Sequence, residues 1–391
     1  MPDEKIVSPS NAGADDSKDA ETPQPTKNKK TNPFKKLASW FNNLSKKQKI
    51  LFIAAVVVIV TGITTGLVLA LHKDPAPAPK PVVKKVEPKV EEPKPTTVAS
   101  TLTGLQVDPS LNKRPVTGVM IENSPEARPQ SGLTSAGVVF EAIAEGGITR
   151  FLALFQDTQP DYIGPVRSVR PYYLDWLQGF DAPVAHAGGS NDGLAKVKAD
   201  KVKDLDQFAN AKAYQRVNSR YAPHNLYTSS AKLDALEAEK GFTSSTFEGF
   251  ARKPESKLET PTAKSIDLTI SGYYYNPHYD YDAASNSYKR SMQGKPHVDE
   301  KSGSQIAPKV VIANIMQYKI IDSVGHSGYN TIGSGASYIF QDGGVTIGTW
   351  EKTSSKSQMV FKDKSGAILK LNPGQTWIGA VGDSTGVKYT P

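Results

Sequence analysis

The 391-residue chain contains no cysteine. It therefore has no disulfide, no thiolate zinc site, no thiol nucleophile and no cysteine to which a lipid could be attached. It also lacks a Walker loop, a GxGxxG fingerprint after a strand, a GxSxG elbow, an HExxH pair and an EF-hand loop. Any function must therefore be sought in looser groups of residues.

Acidic residues are missing between positions 22 and 71, where eight lysines occur. Residues 1–97 hold 16 of the 47 basic and 10 of the 39 acidic side chains, so 98–391 carries only +2 of the formal net charge of +8. Since the remainder is nearly neutral, a basic groove for nucleic acid is not required. We predict no nucleic-acid partner.

Residues 50–71 (ILFIAAVVVIVTGITTGLVLAL) form an uncharged run. A helix of this length spans roughly 33 Å, enough for the ~30 Å hydrocarbon core of a bilayer. The alternative is a signal peptide, whose apolar region is usually only ~7–15 residues long. We favour a retained single-pass anchor in the cell membrane. The lysines before it predict a cytoplasmic N-terminus and extracellular C-terminal domains. Phe34, Leu37, Trp40, Phe41 and Leu44 predict a short amphipathic helix on the membrane surface.

Composition and periodicity divide the chain further. We predict an α+β fold, in which an N-terminal α/β sandwich-like domain is followed by a mostly β C-terminal domain. Within the N-terminal domain we predict helices over 172–179, 192–203 and 229–240, and a hairpin of two strands joined around 145–147. The predicted segments are a disordered basic tail (1–49), the transmembrane helix (50–71), a Pro/Lys-rich linker (72–97), the N-terminal domain (98–261) and the C-terminal domain (262–391).

Two arginines flank a serine in the segment 163–171 (IGPVRSVRP), just before a predicted helix. Guanidinium groups at a helix start suit a phosphate or carboxylate, so Arg167 and Arg170, together with Arg150, are candidate ligand-binding residues. The alternative is that such arginines form internal ion pairs with Glu141, Glu145 or Asp157.

Two further segments bring histidines to predicted strand or loop ends. His186 and Ser190 lie in 186–192 (HAGGSND), and His224 and Asn225 lie in 220–227 (RYAPHNLY). Ser190 is either a nucleophile with His186 as its base, a ligand contact, or simply a helix N-cap. No histidine spacing supports a metal site, so we predict no metal and no cofactor.

The C-terminal region offers Arg290, His297 and Asp299 within a short segment after a predicted strand. Arg290 and His297 are candidate ligand-binding residues, and His297 with Asp299 is alternatively a loop salt bridge. Aromatic residues are candidates for stacking on a sugar or peptide, or for ordinary cross-strand packing; they are Trp350, Trp377 and the tyrosines at 273–275, 279 and 281.

Several of these segments resemble the YerB-like lipoprotein family. The similarity rests on 128–133 (RPQSGL), 145–151 (EGGITRF), 163–171, 222–227 (APHNLY), 290–299, 348–350 (GTW) and 372–377 (NPGQTW), and covers roughly 102–381. The resemblance implies a two-domain extracytoplasmic protein and implies no particular activity. This chain departs from the lipoprotein pattern, because the apolar helix stands in place of a lipidated cysteine.

The predicted function is a membrane-anchored binding or accessory module of the cell envelope, with an anionic or glycan-bearing ligand in an inter-domain cleft. The predicted partners are the membrane and an envelope polymer or envelope protein. The alternative is a hydrolase or transferase of cell-wall polymer. Its catalytic pair would be Glu141 with Glu145 as acid and base, or His186 with Asp192 as the base. Four positions along a strand separate Glu141 from Glu145 by ~13 Å, more than the ~5–9.5 Å of glycosidases. No catalytic residue is assigned.

Overall fold

A computed structural model describes residues 33–71 and 96–391 of the chain. The chain divides into two compact units, Met1–Val90 and Glu91–Pro391. The predicted disordered tail and the predicted linker lie largely outside the described residues. The α-helices of the described part are α1 (Pro33–Asn42), α2 (Lys46–Leu71), α3 (Pro171–Gln178), α4 (Asn191–Ala199) and α5 (Ser230–Glu239).

Strands dominate the second unit. They are β1 (Val98–Ala99), β2 (Gln106–Val107), β3 (Thr117–Glu122), β4 (Val138–Glu145), β5 (Ile148–Phe155), β6 (Val184–His186), β7 (Asp204–Asp206), β8 (Gln215–Arg216), β9 (Leu226–Tyr227), β10 (Ser265–Leu268), β11 (Pro277–Asp282), β12 (Ser287–Met292), β13 (Lys295–Pro296), β14 (Val310–Ile315), β15 (Tyr318–Ile320), β16 (Ser327–Tyr329), β17 (Gly333–Gln341), β18 (Gly344–Lys352), β19 (Val360–Lys362), β20 (Thr376–Val381) and β21 (Val387–Thr390).

The first unit contains the predicted apolar helix. Residues Lys46–Thr65 of α2 are long and apolar enough to cross a membrane, and none of that window is buried. Ser45 and Gln48 cap the start of α2, because each side chain accepts a hydrogen bond from the other residue's backbone N–H. The predicted short helix before it is also present, as α1, and the rings of Trp40 and Phe41 lie 5.6 and 5.5 Å from that of Phe52.

A ten-stranded mixed sheet organises the second unit. Its order is β19-β18-β17-β14-β20-β4-β5-β3-β6-β7. Strand β20 pairs in parallel with β14 on one side and with β4 on the other. Strands from the predicted N-terminal and C-terminal domains therefore meet in one sheet at β20 and β4.

Both faces of this sheet are covered. On one face, α3 contributes Tyr172, Tyr173, Leu174, Trp176 and Leu177 to a core that includes sheet residues from both halves. On the other face lie α5 and a five-stranded antiparallel sheet of order β13-β12-β11-β10-β21. Side chains alternate between the two faces along each strand, so the sheet separates two apolar layers.

The structure is mostly β with few helices. The helices predicted at 172–179, 192–203 and 229–240 are confirmed as α3, α4 and α5, with ends that differ by up to four residues. The hairpin predicted around 145–147 is confirmed as β4 and β5. The α+β class and the sandwich-like description of the N-terminal domain are not confirmed. The domain boundary at 261/262 stays a prediction.

Candidate functional site

A cleft of about 460 Å³ lies at the carboxyl ends of β6 and β7. Two arginines, Arg167 and Arg216, contribute to its lining, together with the backbone of Gly188 and Gly189. We call it the arginine cleft, and its lining residues are Val166, Arg167, Ser168, Ala187, Gly188, Gly189, Leu194, Asp206, Phe208, Arg216, Pro223 and Leu226. All of these lie between positions 166 and 226, so the cleft is built from the N-terminal half alone.

Arg167 is held at the cleft by Glu122, at the end of β3. Its Nε lies 3.3 Å from Glu122 Oε1, and its side chain remains 26% exposed while that of Glu122 is 4% exposed. Burial lowers the pKa of Arg167, the carboxylate of Glu122 opposes this shift, and the positive charges of Arg150 and Arg216 add to it. The guanidinium remains charged. Arg167 therefore brings a cation to a partly desolvated place.

His224 binds the same carboxylate oxygen. Its Nδ1 lies 3.0 Å from Glu122 Oε1 and 3.3 Å from the hydroxyl of Ser124, which also bonds Glu122 Oε1 at 3.1 Å. In a serine hydrolase the serine and the acid bind opposite nitrogens of the ring. Here both are on Nδ1, so this group positions a loop beside the cleft and does not form a nucleophile relay. The second oxygen of Glu122 is buried without a hydrogen-bond partner in the described part of the chain.

Asn225 fixes the other arginine of the cleft. Its side-chain oxygen accepts a hydrogen bond of 2.8 Å from Arg216, and its amide nitrogen donates to the carbonyl oxygens of Val217 and Arg220. Both the oxygen and the nitrogen of the Asn225 side chain are therefore used in these hydrogen bonds. The structure places Asn225 behind Arg216, where it orients the guanidinium.

Arg150 and Arg170 follow the alternative of internal pairing. Both bind Glu145, and each also donates to a backbone carbonyl, of Ser168 and Val169 respectively. Arg150 is 1% exposed and Arg170 is 3% exposed. Neither side chain lines the arginine cleft. Ligand contact by these two residues stays a prediction.

The side chains of His186 and Ser190 form hydrogen bonds with different partners. His186 is fully buried, with Nε2 3.0 Å from Asp204 and Nδ1 2.8 Å from the carbonyl of Gly188. Since a carbonyl only accepts, Nδ1 carries a proton and the ring braces β6 against β7. Ser190 caps α4, because its hydroxyl accepts the N–H of Gly193. The N-cap alternative therefore accounts for the bonding of Ser190.

Arg290 and His297 lie in the interior, away from the arginine cleft. Arg290 is fully buried and binds Glu141 at 2.9 Å, and its guanidinium lies 4.4 Å from the ring centre of Trp377. His297 accepts from Arg290 and faces Gln130 at 2.8 Å. Burial, reinforced by the charges of Arg290 and Arg128, lowers the pKa of His297 well below its ordinary value.

A second cleft, of about 430 Å³, lies between residues 125–129 and 292–298 and has His297 in its lining. Arg290 does not line it. The sequence-predicted site residues are therefore divided. Arg167 reaches the arginine cleft, His224 and Asn225 support it, and His297 borders the second cleft.

Four residues around the arginine cleft were not identified from the sequence: Glu122, Asp206, Phe208 and Arg216. Glu122 was readable as the last residue of a strand, but its partner Arg167 is 45 positions away and His224 is 102 positions away. Phe208 lies in a turn and Arg216 in the two-residue strand β8, and neither segment carries a motif. No local pattern could have brought these four together.

Of the seven predicted stacking residues, three are inside the protein. Trp377 and Tyr279 are fully buried and Trp350 is 3% exposed. Tyr273 and Tyr274 are 70% and 54% exposed. The cross-strand packing alternative therefore fits the first group, Tyr273 and Tyr274 present rings to solvent, and Tyr275 and Tyr281 are half-buried.

A family search and comparisons with known proteins agree with this architecture. The model described as "Protein of unknown function (DUF3048) N-terminal domain" matches residues 102–243, and that of the DUF3048 C-terminal domain matches 266–378. The chain is 32% identical over 291 residues to "Putative lipoprotein YerB" of Bacillus subtilis (strain 168). The aligned region covers 72% of this chain and 86% of the relative.

The crystal structure of YerB from Bacillus subtilis superposes with a TM-score of 0.68 at 28% sequence identity. The match covers 75% of this chain and 100% of the other. The chain belongs to the YerB-like DUF3048 family, and the family resemblance stated from the sequence is confirmed.

Proposed function

We propose that this protein is a membrane-anchored, extracytoplasmic module that binds an anionic envelope ligand in the arginine cleft. The observation that carries the proposal is the presence of two guanidinium groups, Arg167 and Arg216, in the lining of one cleft. Guanidinium groups bind phosphate and carboxylate through paired, charge-assisted hydrogen bonds.

Each arginine is held by a different part of the fold. Glu122 binds Arg167 from the end of β3, and Asn225 binds Arg216 from the loop after it. Such preorganised donors reduce the ordering cost of binding. The backbone of Gly188 and Gly189 forms the floor of the cleft. Because glycine has no side chain, a ligand can approach the main chain there directly.

The location is supported by two features. Helix α2 contains a segment of sufficient length and apolarity to span a bilayer, and the relative carries the name of a lipoprotein. Lysines 46, 47 and 49 flank the start of the apolar segment, which favours a cytoplasmic N-terminus. Protease added to intact cells should digest the unit 91–391, and its survival there would contradict the topology.

The hydrolase or transferase alternative has weaker support. Glu141 is fully buried in its pair with Arg290, and Glu145 is paired with Arg150 and Arg170. Ser190 is a helix cap. No observation favours this alternative over a binding role.

Isothermal calorimetry on the full chain in detergent micelles tests the binding role, with inorganic phosphate, polyphosphate and glycerol 3-phosphate as probes. Arg167→Ala should weaken the binding of the phosphate probes by roughly tenfold or more, the value of one charge-assisted hydrogen bond. Lys289→Ala, which removes an exposed cation that pairs with Asp282 elsewhere, is the matched control. Equal affinities of the wild type and Arg167→Ala would contradict the proposal.

A further inference from the structure

We propose that the anion taken by the arginine cleft is carried by a sugar, whose ring stacks on Phe208 and whose hydroxyls bind Asp206. This inference rests on the proposed function and names the chemical class of the ligand. Three features of the cleft support it: an exposed phenyl ring in the lining, a rigid support beneath that ring, and a carboxylate beside the arginines.

Phe208 is an apolar side chain that the fold leaves in solvent. It lines the arginine cleft and is 72% exposed. Burial of a phenyl ring is favourable, so an exposed ring in a cleft is available to a ligand. Ligand pockets commonly combine aromatic walls with a few polar groups that fix orientation. Phe208 supplies such a wall next to Arg167 and Arg216.

The ring is supported by the backbone of Gly188. At Gly188 the φ angle is +62°, in the left-handed region, and a Cβ placed there would lie 3.1 Å from Cε2 of Phe208. The phenyl ring therefore rests against a position that has no side chain. The N–H of Gly188 donates to Asp206 at 2.8 Å, and its carbonyl accepts from Val169. The platform is thus fixed to the floor of the cleft.

The loop that carries the ring is also held. The N–H of Gln207 donates to the carbonyl of His186 at 2.8 Å, and that of Asn210 donates to the carbonyl of Asp206 at 3.0 Å. These bonds lie on both sides of Phe208. The backbone that carries the ring therefore needs little reorganisation when a ligand binds.

Asp206 determines what kind of anion fits. It shares the lining with the two arginines, and its Oδ1 accepts the N–H of Gly188. No hydrogen bond to its Oδ2 is formed by any residue in the described ranges 33–71 and 96–391. A bare anion gains no hydrogen bond from this carboxylate, whereas a ligand with hydroxyl groups donates to it. A sugar that carries a phosphate or carboxylate offers the anion, the hydroxyls and an apolar C–H face together.

The inference is tested by calorimetry on the full chain in detergent micelles with two probes. Glucose 6-phosphate carries a ring and a phosphate, and glycerol 3-phosphate carries hydroxyls and a phosphate without a ring. We expect the wild type to bind glucose 6-phosphate roughly three- to tenfold more tightly, the range of an aromatic contact. Phe208→Ala should abolish that advantage, so that the two probes bind with equal affinity.

Two variants serve as controls. Phe208→Trp keeps an aromatic face and should retain the preference. Tyr221→Ala removes a ring that is 91% exposed and does not line the cleft, and should leave both affinities unchanged.

The outcomes separate this inference from the proposed function. Failure of both probes to bind would overturn the anion site itself. Equal binding of both probes, with no effect of Phe208→Ala, would contradict a sugar ligand but would still support an anion site in the cleft. Tighter binding of adenosine 5′-monophosphate than of glucose 6-phosphate would also overturn the sugar, in favour of a nucleobase on the ring.

Discussion

At the scale of single residues, two arginine–glutamate ion pairs in this protein differ in how deeply the arginine is buried. Arg290 and Glu141 form a fully buried pair, and Trp377 Nε1 donates to the same carboxylate oxygen, Oε2, at 2.9 Å. The desolvation cost of such a pair is offset only while both partners are present. Removing one partner therefore costs more stability than the intact pair contributes. Arg167, by contrast, pairs with Glu122 at a cleft and keeps part of its side chain in solvent.

Arg290→Ala should destabilise the protein by about 3–5 kcal/mol, because it leaves Glu141 buried and uncompensated. The double variant Arg290→Ala, Glu141→Gln should recover part of this loss. Urea unfolding of the wild type, both single variants and the double variant measures the coupling. A loss below 1 kcal/mol for Arg290→Ala would mean that the pair does not bind the two sheets together.

Glu237 provides a pH-dependent prediction. It is 1% exposed on α5, where burial raises its pKa to about 7, although the hydroxyl of Thr117 donates to it at 2.6 Å. The folded state therefore holds a proton that the unfolded state, with an ordinary pKa near 4.5, releases. The contribution of Glu237 to the free energy of unfolding is therefore fully present below pH 4.5, and it is lost as the pH rises to about 7.

Glu237→Gln, which keeps the shape of the protonated acid, should raise the free energy of unfolding by roughly 1–3 kcal/mol at pH 8. It should have little effect at pH 4.5. Glu239→Gln, on the exposed side of the same helix, is the control and should be neutral at both values. Chemical denaturation at the two pH values measures the difference, and an equal effect at both would refute the pH linkage.

At the scale of elements, helix α4 illustrates how a local pattern becomes part of the cleft. Ser190 precedes the helix and accepts the N–H of Gly193, while Gly188 and Gly189 just before it line the arginine cleft. A short polar residue after two glycines is typical of a helix start. The same signal is compatible with a nucleophile, and only the hydrogen bond to Gly193 distinguishes the two.

Ser190→Ala should cost about 1 kcal/mol of stability, as is usual for a lost N-cap, and should leave the affinity for phosphate probes within twofold. Ser190→Asp should restore most of the stability, because an aspartate also caps helices. Thermal unfolding and calorimetry together test this. A loss of binding larger than tenfold, with unchanged stability, would instead make Ser190 a ligand contact.

Elements were predictable where neighbours in sequence determine them. Two strand-like runs joined around Glu145, Gly146 and Gly147 predicted the β4–β5 hairpin, and the segment 172–179 was predicted as the helix α3. Arg167 was found because its own segment carries a charge pattern. Arg216 and Phe208 were not, because the cleft joins loops whose proximity depends on the order of strands in the sheet.

At the scale of the whole molecule, the sheet crosses the predicted domain boundary. Strand β20 lies between β14 and β4, and Ile378 pairs in register with Ile312 and Phe140. One apolar cluster combines residues such as Phe140 and Leu154 with Val310 and Ile378. Strand order of this kind involves pairings across more than 200 positions, which no local pattern in the sequence encodes.

The fragment 98–261 should therefore not fold alone, although it contains the arginine cleft. Without β20, the edge of β4 is exposed and the apolar residues of its two faces lose their partners. We expect aggregation or a loss of cooperative unfolding for 98–261, and a sharp transition for 91–391. Circular dichroism and hydrogen exchange on both fragments test this, and a cooperative, soluble 98–261 would instead support two independent domains.

The position of β20 also governs when the native state becomes accessible during synthesis. The ribosome delivers β3 through β6 early, yet the strand that flanks β4 emerges only with residues 376–381. Until then the nascent polypeptide offers an open strand edge and an uncovered apolar layer, both of which chaperones and proteases recognise. A message truncated shortly before this strand would thus yield a product that is cleared, even though every residue of the ligand cleft has already been translated.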